Sequence, residues 1–228
     1  MRISDVDKWA TCERYALEAS HAQHQFLRRR IHVAAMVGSL VHKLVTGAID
    51  AHDEMEGWRS RSLTCDATTP DVHAALWQAQ EISDKIRYQL ATDGWTIIGT
   101  EEELETEGTT GRLDLIAHYE PTAERAVLDI KTGREIGTGW LQVGGYLNAV
   151  NASHTIPLEL GGIIHAPRFR QGPYTAHIET RPAPELARAW RRRRTRIDDV
   201  LDRRDLPLES PGKHCRRCDI RDCTSRAE

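Results

Sequence analysis

Asp114, Asp129 and Lys131 are charged residues set in apolar company. Leu113–Ala117 and Ala126–Ile130 are short apolar runs that read as strands, and each carries an aspartate where a buried strand ordinarily carries none. The stretch Pro121-Thr-Ala-Glu between them reads as a turn, so an antiparallel hairpin is predicted that sets Asp114 beside Asp129. Carboxylates that close repel unless a divalent cation holds them or one takes a proton. Oxygen donors suit magnesium or manganese, and Lys131 shares a strand face with Asp129 two residues before it. Two carboxylates, a lysine and a hard cation are the groups that in-line attack of water on a phosphodiester requires.

Taken in order, Gly111-Arg-Leu-Asp114, Asp129-Ile-Lys131 and Gln142-x-x-x-Tyr146 resemble the PD-(D/E)XK nuclease pattern in its RecB-like form. Asp129 stands where glutamate is commoner, a variant the pattern allows. Gly38-Ser-Leu-Val-His42 resembles the Gly-x-x-x-His element of the same nucleases. The resemblance implies an α/β (α+β) fold, a mixed central sheet flanked by helices. It implies His42, Asp114, Asp129 and the Ile130 carbonyl as ligands for Mg2+ or Mn2+. Lys131 would orient or help deprotonate the attacking water and offset transition-state charge. Gln142 and Tyr146, four apart and so on one helical face, would contact the nucleic-acid strand beside the scissile phosphate.

The second group is Cys215-x-x-Cys218-x-x-x-x-Cys223, three thiolates flanked by Lys213, Arg216, Arg217 and Arg221. Zinc and iron–sulfur clusters both accept such ligands. Zinc would need Cys12 or a histidine such as His214 as its fourth ligand. Some RecB-like nucleases, CRISPR-associated exonucleases among them, have one cysteine before the core and three after it, and hold a [4Fe–4S] cluster there. Cys12 with Cys215, Cys218 and Cys223 is similar to that arrangement, which implies the cluster as cofactor. The resemblance spans Cys12 to Cys223.

The elements that must position these residues are legible from apolar periodicity. A first helix carries Val6, Trp9, Ala10, Cys12 and Leu17, and a second, Val33–Ile49, aligns Val37, Leu40, Val41, Leu44 and Val45 with His42 at the edge of the stripe. Asp71–Leu90 is predicted as a helix packing through Val72, Leu76, Ile82, Ile86 and Leu90, and Asp93-Gly94 ends it. Trp95–Leu104 reads as one strand, with Glu101, Glu102 and Glu103 near the site. Alternation does not decide which of the three faces inward, and Glu102 is the candidate. Gly139–Val150 is a helix, Leu158–Ala166 and Tyr174–Thr180 are strands, and Pro184–Leu201 is a helix with stripe Leu186, Trp190, Ile197 and Leu201. The arginines of that last helix, Arg188 and Arg191 to Arg194 among them, are either a phosphate-contacting surface or a solvated face paired with Asp198, Asp199 and Asp202.

At 228 residues the chain holds one substantial core, divided as a helical region 1–94, a nuclease core with its basic helix 95–205 and a cysteine tail 206–228. A net charge of −3 gives no global attraction to nucleic acid, so sequence-independent DNA contact must come from local patches. Five cysteines without a signal peptide or transmembrane run lead us to expect a reducing cytoplasm and no membrane association. No Walker A motif or helicase segment is present. The expected function is a metal-dependent DNA exonuclease working in recombination, repair or CRISPR adaptation, whose proteins would be its partners. The alternatives are a non-catalytic iron–sulfur or zinc nucleic-acid-binding protein and an endonuclease on the same core.

Overall fold

The computed structural model describes residues 2–3, 6–13, 16, 33–47, 69–106, 109–133, 139–167, 175–202 and 207. Its helices are α1 (Val6–Thr11), α2 (Val33–Thr46), α3 (Thr69–Thr92), α4 (Gly139–Ser153) and α5 (Ala183–Leu201). Its strands are β1 (Trp95–Thr100), β2 (Glu103–Thr106), β3 (Thr109–Arg112), β4 (Leu115–Tyr119), β5 (Glu124–Lys131), β6 (Leu160–His165) and β7 (His177–Pro182). Five strands form one mixed sheet in the order β1-β4-β5-β6-β7, and β2 and β3 pair separately. β4 and β5 are antiparallel, as the turn chemistry at Pro121 predicts, while β5 and β6 run parallel and need the α4 crossover between them.

Alternation along β4 and β5 sorts the core into two halves. Leu115, Ala117, Ala126, Leu128 and Ile130 turn to one face, where they meet Leu40, Val41 and Leu44 of α2 and Ala79, Ile82 and Ile86 of α3. Ile116 and Val127 turn to the other, against Val143 and Leu147 of α4 and Leu186 and Trp190 of α5. Helices thus cover both faces, and β5 is buried throughout its Ala126–Ile130 stretch. α4 and α5 approach closely at Gly144, where a β-carbon would stand 2.5 Å from the Leu186 carbonyl oxygen.

Several expectations need correction. The α3 stripe passes through Ala75 and Ala79, with Leu76 only partly buried; the side chain of Val72 lies outside the described residues. In α5 Val200 is buried and Leu201 is exposed, so Val200 takes the place expected of Leu201. The strand expected over Trp95–Leu104 is two strands. Glu101 sits at φ 53°, a left-handed conformation that an extended ladder does not accommodate, and the chain turns there from β1 into β2. The strand expected to start at Leu113 starts at Leu115, because Leu113 and Asp114 lie between β3 and β4.

Candidate active site

The register that pairs Leu115 with Leu128 sets Asp114 opposite Asp129. Asp114 is held just before β4 begins. Its Oδ2 accepts a hydrogen bond of 2.7 Å from the Ile130 amide, and its Oδ1 accepts one of 2.9 Å from His42 Nδ1 on α2. The N–H and C=O of a strand residue point to the same side, so the Ile130 carbonyl is also directed toward Asp114. Asp129 is 2% exposed. Lys131 Nζ lies 2.8 Å from Asp129 Oδ2 and donates a 2.7 Å hydrogen bond to Gln142 Oε1 on α4. The chain continues from Gln142 Nε2 to Tyr146 Oη at 2.6 Å. Asp129 Oδ2 is left as a buried oxygen with an ion-pair neighbour but no well-aligned hydrogen bond.

These contacts fix the electrostatics. Burial, opposed by Lys131 and reinforced by the Asp114 charge, pushes the Asp129 carboxyl up to about 6 from its ordinary 3.8. At His42 burial disfavours the cation, but the Asp114 charge and hydrogen bond together with the Asp129 charge outweigh it, so the imidazole is raised above its ordinary 6.5. A site that drives an aspartate toward protonation and leaves one of its oxygens without a proper donor suits a hard cation, which relieves both deficits. No three His, Cys, Asp or Glu side chains form a metal-holding group among the described residues. Magnesium does not demand one, because it commonly takes one or two carboxylates and completes its shell with water and substrate phosphate.

The site opens into a cleft of about 950 Å³ that His42, Asp114, Asp129, Ile130, Lys131, Gln142 and Tyr146 all line. The residues expected to bind the metal and to do the chemistry therefore line one cavity. The inward glutamate is not Glu102, which pairs with His154 at 2.7 Å, nor Glu101, whose carboxylate meets Arg112 Nε at 2.9 Å. Glu103 lines the cleft, joined by Glu105 from the same face of β2. The turn at Glu101 resets the alternation, which is why parity counted from β1 does not find Glu103. Sequence reasoning also passes over Arg2 and Arg112 on the cleft wall; no spacing signal marks them.

Cys12 is buried and forms no disulfide among the described residues. Its neighbour Glu13, 3% exposed, pairs with Arg193 at 3.1 Å and Arg196 at 2.8 Å on α5. Arg194 binds Asp198 at 2.8 Å and also Thr109. Half of the arginine run thus serves internal pairing, while Arg188, Arg191 and Arg192 remain exposed. Cys215, Cys218 and Cys223, with His214, Arg203 and Arg204, lie outside the described residues. No helix among the described residues is long and apolar enough to cross a membrane.

The fold is also similar to solved structures. A candidate exonuclease from Eubacterium rectale superposes with a TM-score of 0.59 over 95% of this chain and 87% of its own, at 17% identity. The protein SSO0001 aligns over 95% of this chain and 96% of its own at 14% identity, with a TM-score of 0.34. No curated protein matches the chain. The PD-(D/E)XK nuclease superfamily model matches residues 3–223, which takes in both halves of the core and every residue of the cleft wall except Arg2. The chain belongs to the PD-(D/E)XK nuclease superfamily.

Proposed function

We propose that this nuclease is a divalent-metal-dependent deoxyribonuclease, an exonuclease that hydrolyses phosphodiester bonds on single-stranded DNA or at DNA ends. The observation that carries the reading is the convergence of Asp114, Asp129 and Lys131 on one cleft, with Lys131 held between Asp129 and Gln142. The superfamily typically uses Mg2+ or Mn2+, and Asp114, Asp129 and the Ile130 carbonyl would hold the ion, with His42 completing the set from α2. When bound, the cation supplies Lewis-acid polarisation of the phosphoryl group and favours ionisation of water.

The chain's own groups do the rest. Lys131 keeps a fixed positive charge beside the reacting phosphate, where negative charge grows as water attacks. Its ammonium also orients the attacking water and eases loss of its proton. Gln142 fixes Lys131 by accepting from Nζ, and Tyr146 fixes the Gln142 amide in turn. Both side chains face the cleft, where they would meet the strand next to the scissile bond. His42 holds Asp114 by its Nδ1 proton, and protonation of its other nitrogen as pH falls would take it out of the ligand set.

The same proposal takes Cys12, Cys215, Cys218 and Cys223 as ligands of a [4Fe–4S] cluster, with zinc as the other occupant such thiolates accept. In it residues 206–228 close back onto the helical region 1–94, and the core spans 95–205. Buried Cys12 in an N-terminal segment tied to α5 through Glu13 supports a site between the two ends of the chain. Recombination, repair and CRISPR adaptation are the settings that consume DNA ends in this way.

End-labelled linear single-stranded DNA and the same sequence ligated into a circle, each incubated with manganese, test the reading. Mononucleotide or short products from the linear strand alone support an exonuclease. Cleavage of the circle would make it an endonuclease on the same core, and DNA binding without cleavage of either would make it a non-catalytic binding protein. Anaerobically purified protein should carry iron and acid-labile sulfide; zinc in their place would overturn the cluster alone.

A further inference from the structure

Arg2 belongs to none of the sequence motifs, yet it lines the cleft with Asp114, Asp129 and Lys131. Its backbone is fixed to β3 by an isolated parallel bridge to Thr110. The next residue, Ile3, is fully buried, and two glycines make room for it. A β-carbon at Gly111 would stand 2.9 Å from Ile3 Cδ1, and one at Gly145 would stand 2.7 Å from Ile3 Cγ2. Ile3 is therefore seated between β3 and α4, and its seat decides where Arg2 stands.

The charge of the cleft gives that position a purpose. Glu103, Glu105, Asp114 and Asp129 line it, a surface that repels a polyanion. The other cations on the wall are engaged: Lys131 with Asp129 and Gln142, and Arg112 with Glu101. The Arg2 side chain is exposed, and no carboxylate lies in ion-pair distance of it among the described residues. A guanidinium grips a phosphate with two parallel donors and reads no base. We propose that Arg2 is a phosphate clamp on the substrate strand, a positioning residue that sets where the strand lies over Asp114 and Asp129. The inference rests on the nucleic-acid substrate proposed above and assigns to one residue the charge that must offset a carboxylate-lined cleft.

Fluorescence anisotropy of a labelled single-stranded oligodeoxynucleotide tests it, with calcium replacing magnesium to hold back hydrolysis and affinity followed across a salt series. The full-length parent is compared with Arg2→Ala and Arg2→Lys, and KM and kcat are then measured with manganese. Arg2→Ala should weaken binding roughly tenfold, as loss of a charge-assisted contact does. It should also flatten the slope of log affinity against log salt by about 0.7, one phosphate contact on a single strand. KM should rise by a similar factor while kcat and the melting temperature stay close to the parent's, and Arg2→Lys should restore the slope. A parent that binds and cleaves while Arg2→Ala matches it in affinity and slope overturns the Arg2 assignment alone. Weakened binding with an unchanged salt slope also overturns it, because the role would then be structural. A parent that neither binds nor cleaves the oligonucleotide overturns this proposal together with the nucleic-acid reading beneath it.

Discussion

Replacing Asp129 by asparagine should stabilise the metal-free protein while abolishing its activity. The aspartate is buried, faces the Asp114 charge, and titrates near 6 in the fold against an ordinary 3.8. At about 1.4 kcal/mol per unit, that rise corresponds to roughly 3 kcal/mol held against the ionised form. The folded pKa lies above the unfolded one, so the native state keeps the extra proton. Its stabilising contribution is complete below pH about 4 and is lost as pH rises through about 6. Asparagine has the same shape and never ionises. In EDTA at pH 8, Asp129→Asn should therefore exceed the parent in stability by about 1 to 3 kcal/mol, the lower end allowing for the Lys131 ion pair it gives up. For a chain of this size each kcal/mol is roughly 2–4 °C in melting temperature. Near pH 4 the two curves should meet. Urea denaturation at a series of pH values, read as the difference between the two proteins, measures this. His42, also raised, loses its own contribution as pH rises above 6.5; the Asp114 pairing that raises it is common to both proteins, while the share owed to the Asp129 charge is absent from the variant, so the difference reports on Asp129 together with its coupling to His42. Added Mg2+ or Mn2+ should then raise the parent's stability by mass action and leave the variant's nearly unchanged. An asparagine variant less stable than the parent at pH 8, or a difference that does not vary with pH, would refute the claim that this carboxylate is held at a cost for a cation.

Gln142→Ala should lower kcat on the order of 10- to 100-fold with a smaller change in KM, because Lys131 loses the acceptor that fixes its ammonium; Tyr146→Phe, one link farther along the same chain, should cost less than Gln142→Ala in the same steady-state assay. Gly144→Ala forces a β-carbon to 2.5 Å from the Leu186 carbonyl oxygen, and denaturant titration should show a loss of about 1–3 kcal/mol without a change in the metal dependence of the residual activity. Glu13→Ala leaves Arg193 and Arg196 facing a buried gap, and should destabilise by roughly 2–4 kcal/mol in thermal unfolding.

Much of this was legible before any coordinates. The Asp114–Asp129 pairing followed from two apolar runs and one turn, because an antiparallel register has a single consequence for residues equidistant from the turn. Gln142 and Tyr146 were marked by the resemblance to the RecB-like pattern, and helical periodicity adds that they share one face. The glutamates were not legible, since a single left-handed residue, Glu101, resets the parity on which alternation depends. Arg2 was not legible either, because its place depends on a bridge to Thr110 across more than a hundred residues of sequence. The basic look of α5 misled in part: Glu13, an acidic residue near the start of the chain, engages Arg193 and Arg196. Small alanines hid in the α3 stripe because periodicity was followed through the larger Val72 and Leu76.

The central claim is that Asp114, Asp129 and Lys131 form one metal-dependent hydrolytic centre. Release of labelled product from end-labelled single-stranded DNA, with manganese and with EDTA, tests it on the parent, Asp114→Asn and Lys131→Ala, each first shown to be folded by its melting curve. Cleavage by the parent is expected with manganese only, and a loss of at least about 100-fold in both variants. Cleavage that persists in EDTA, or that survives in either folded variant at the parent's rate, would contradict it.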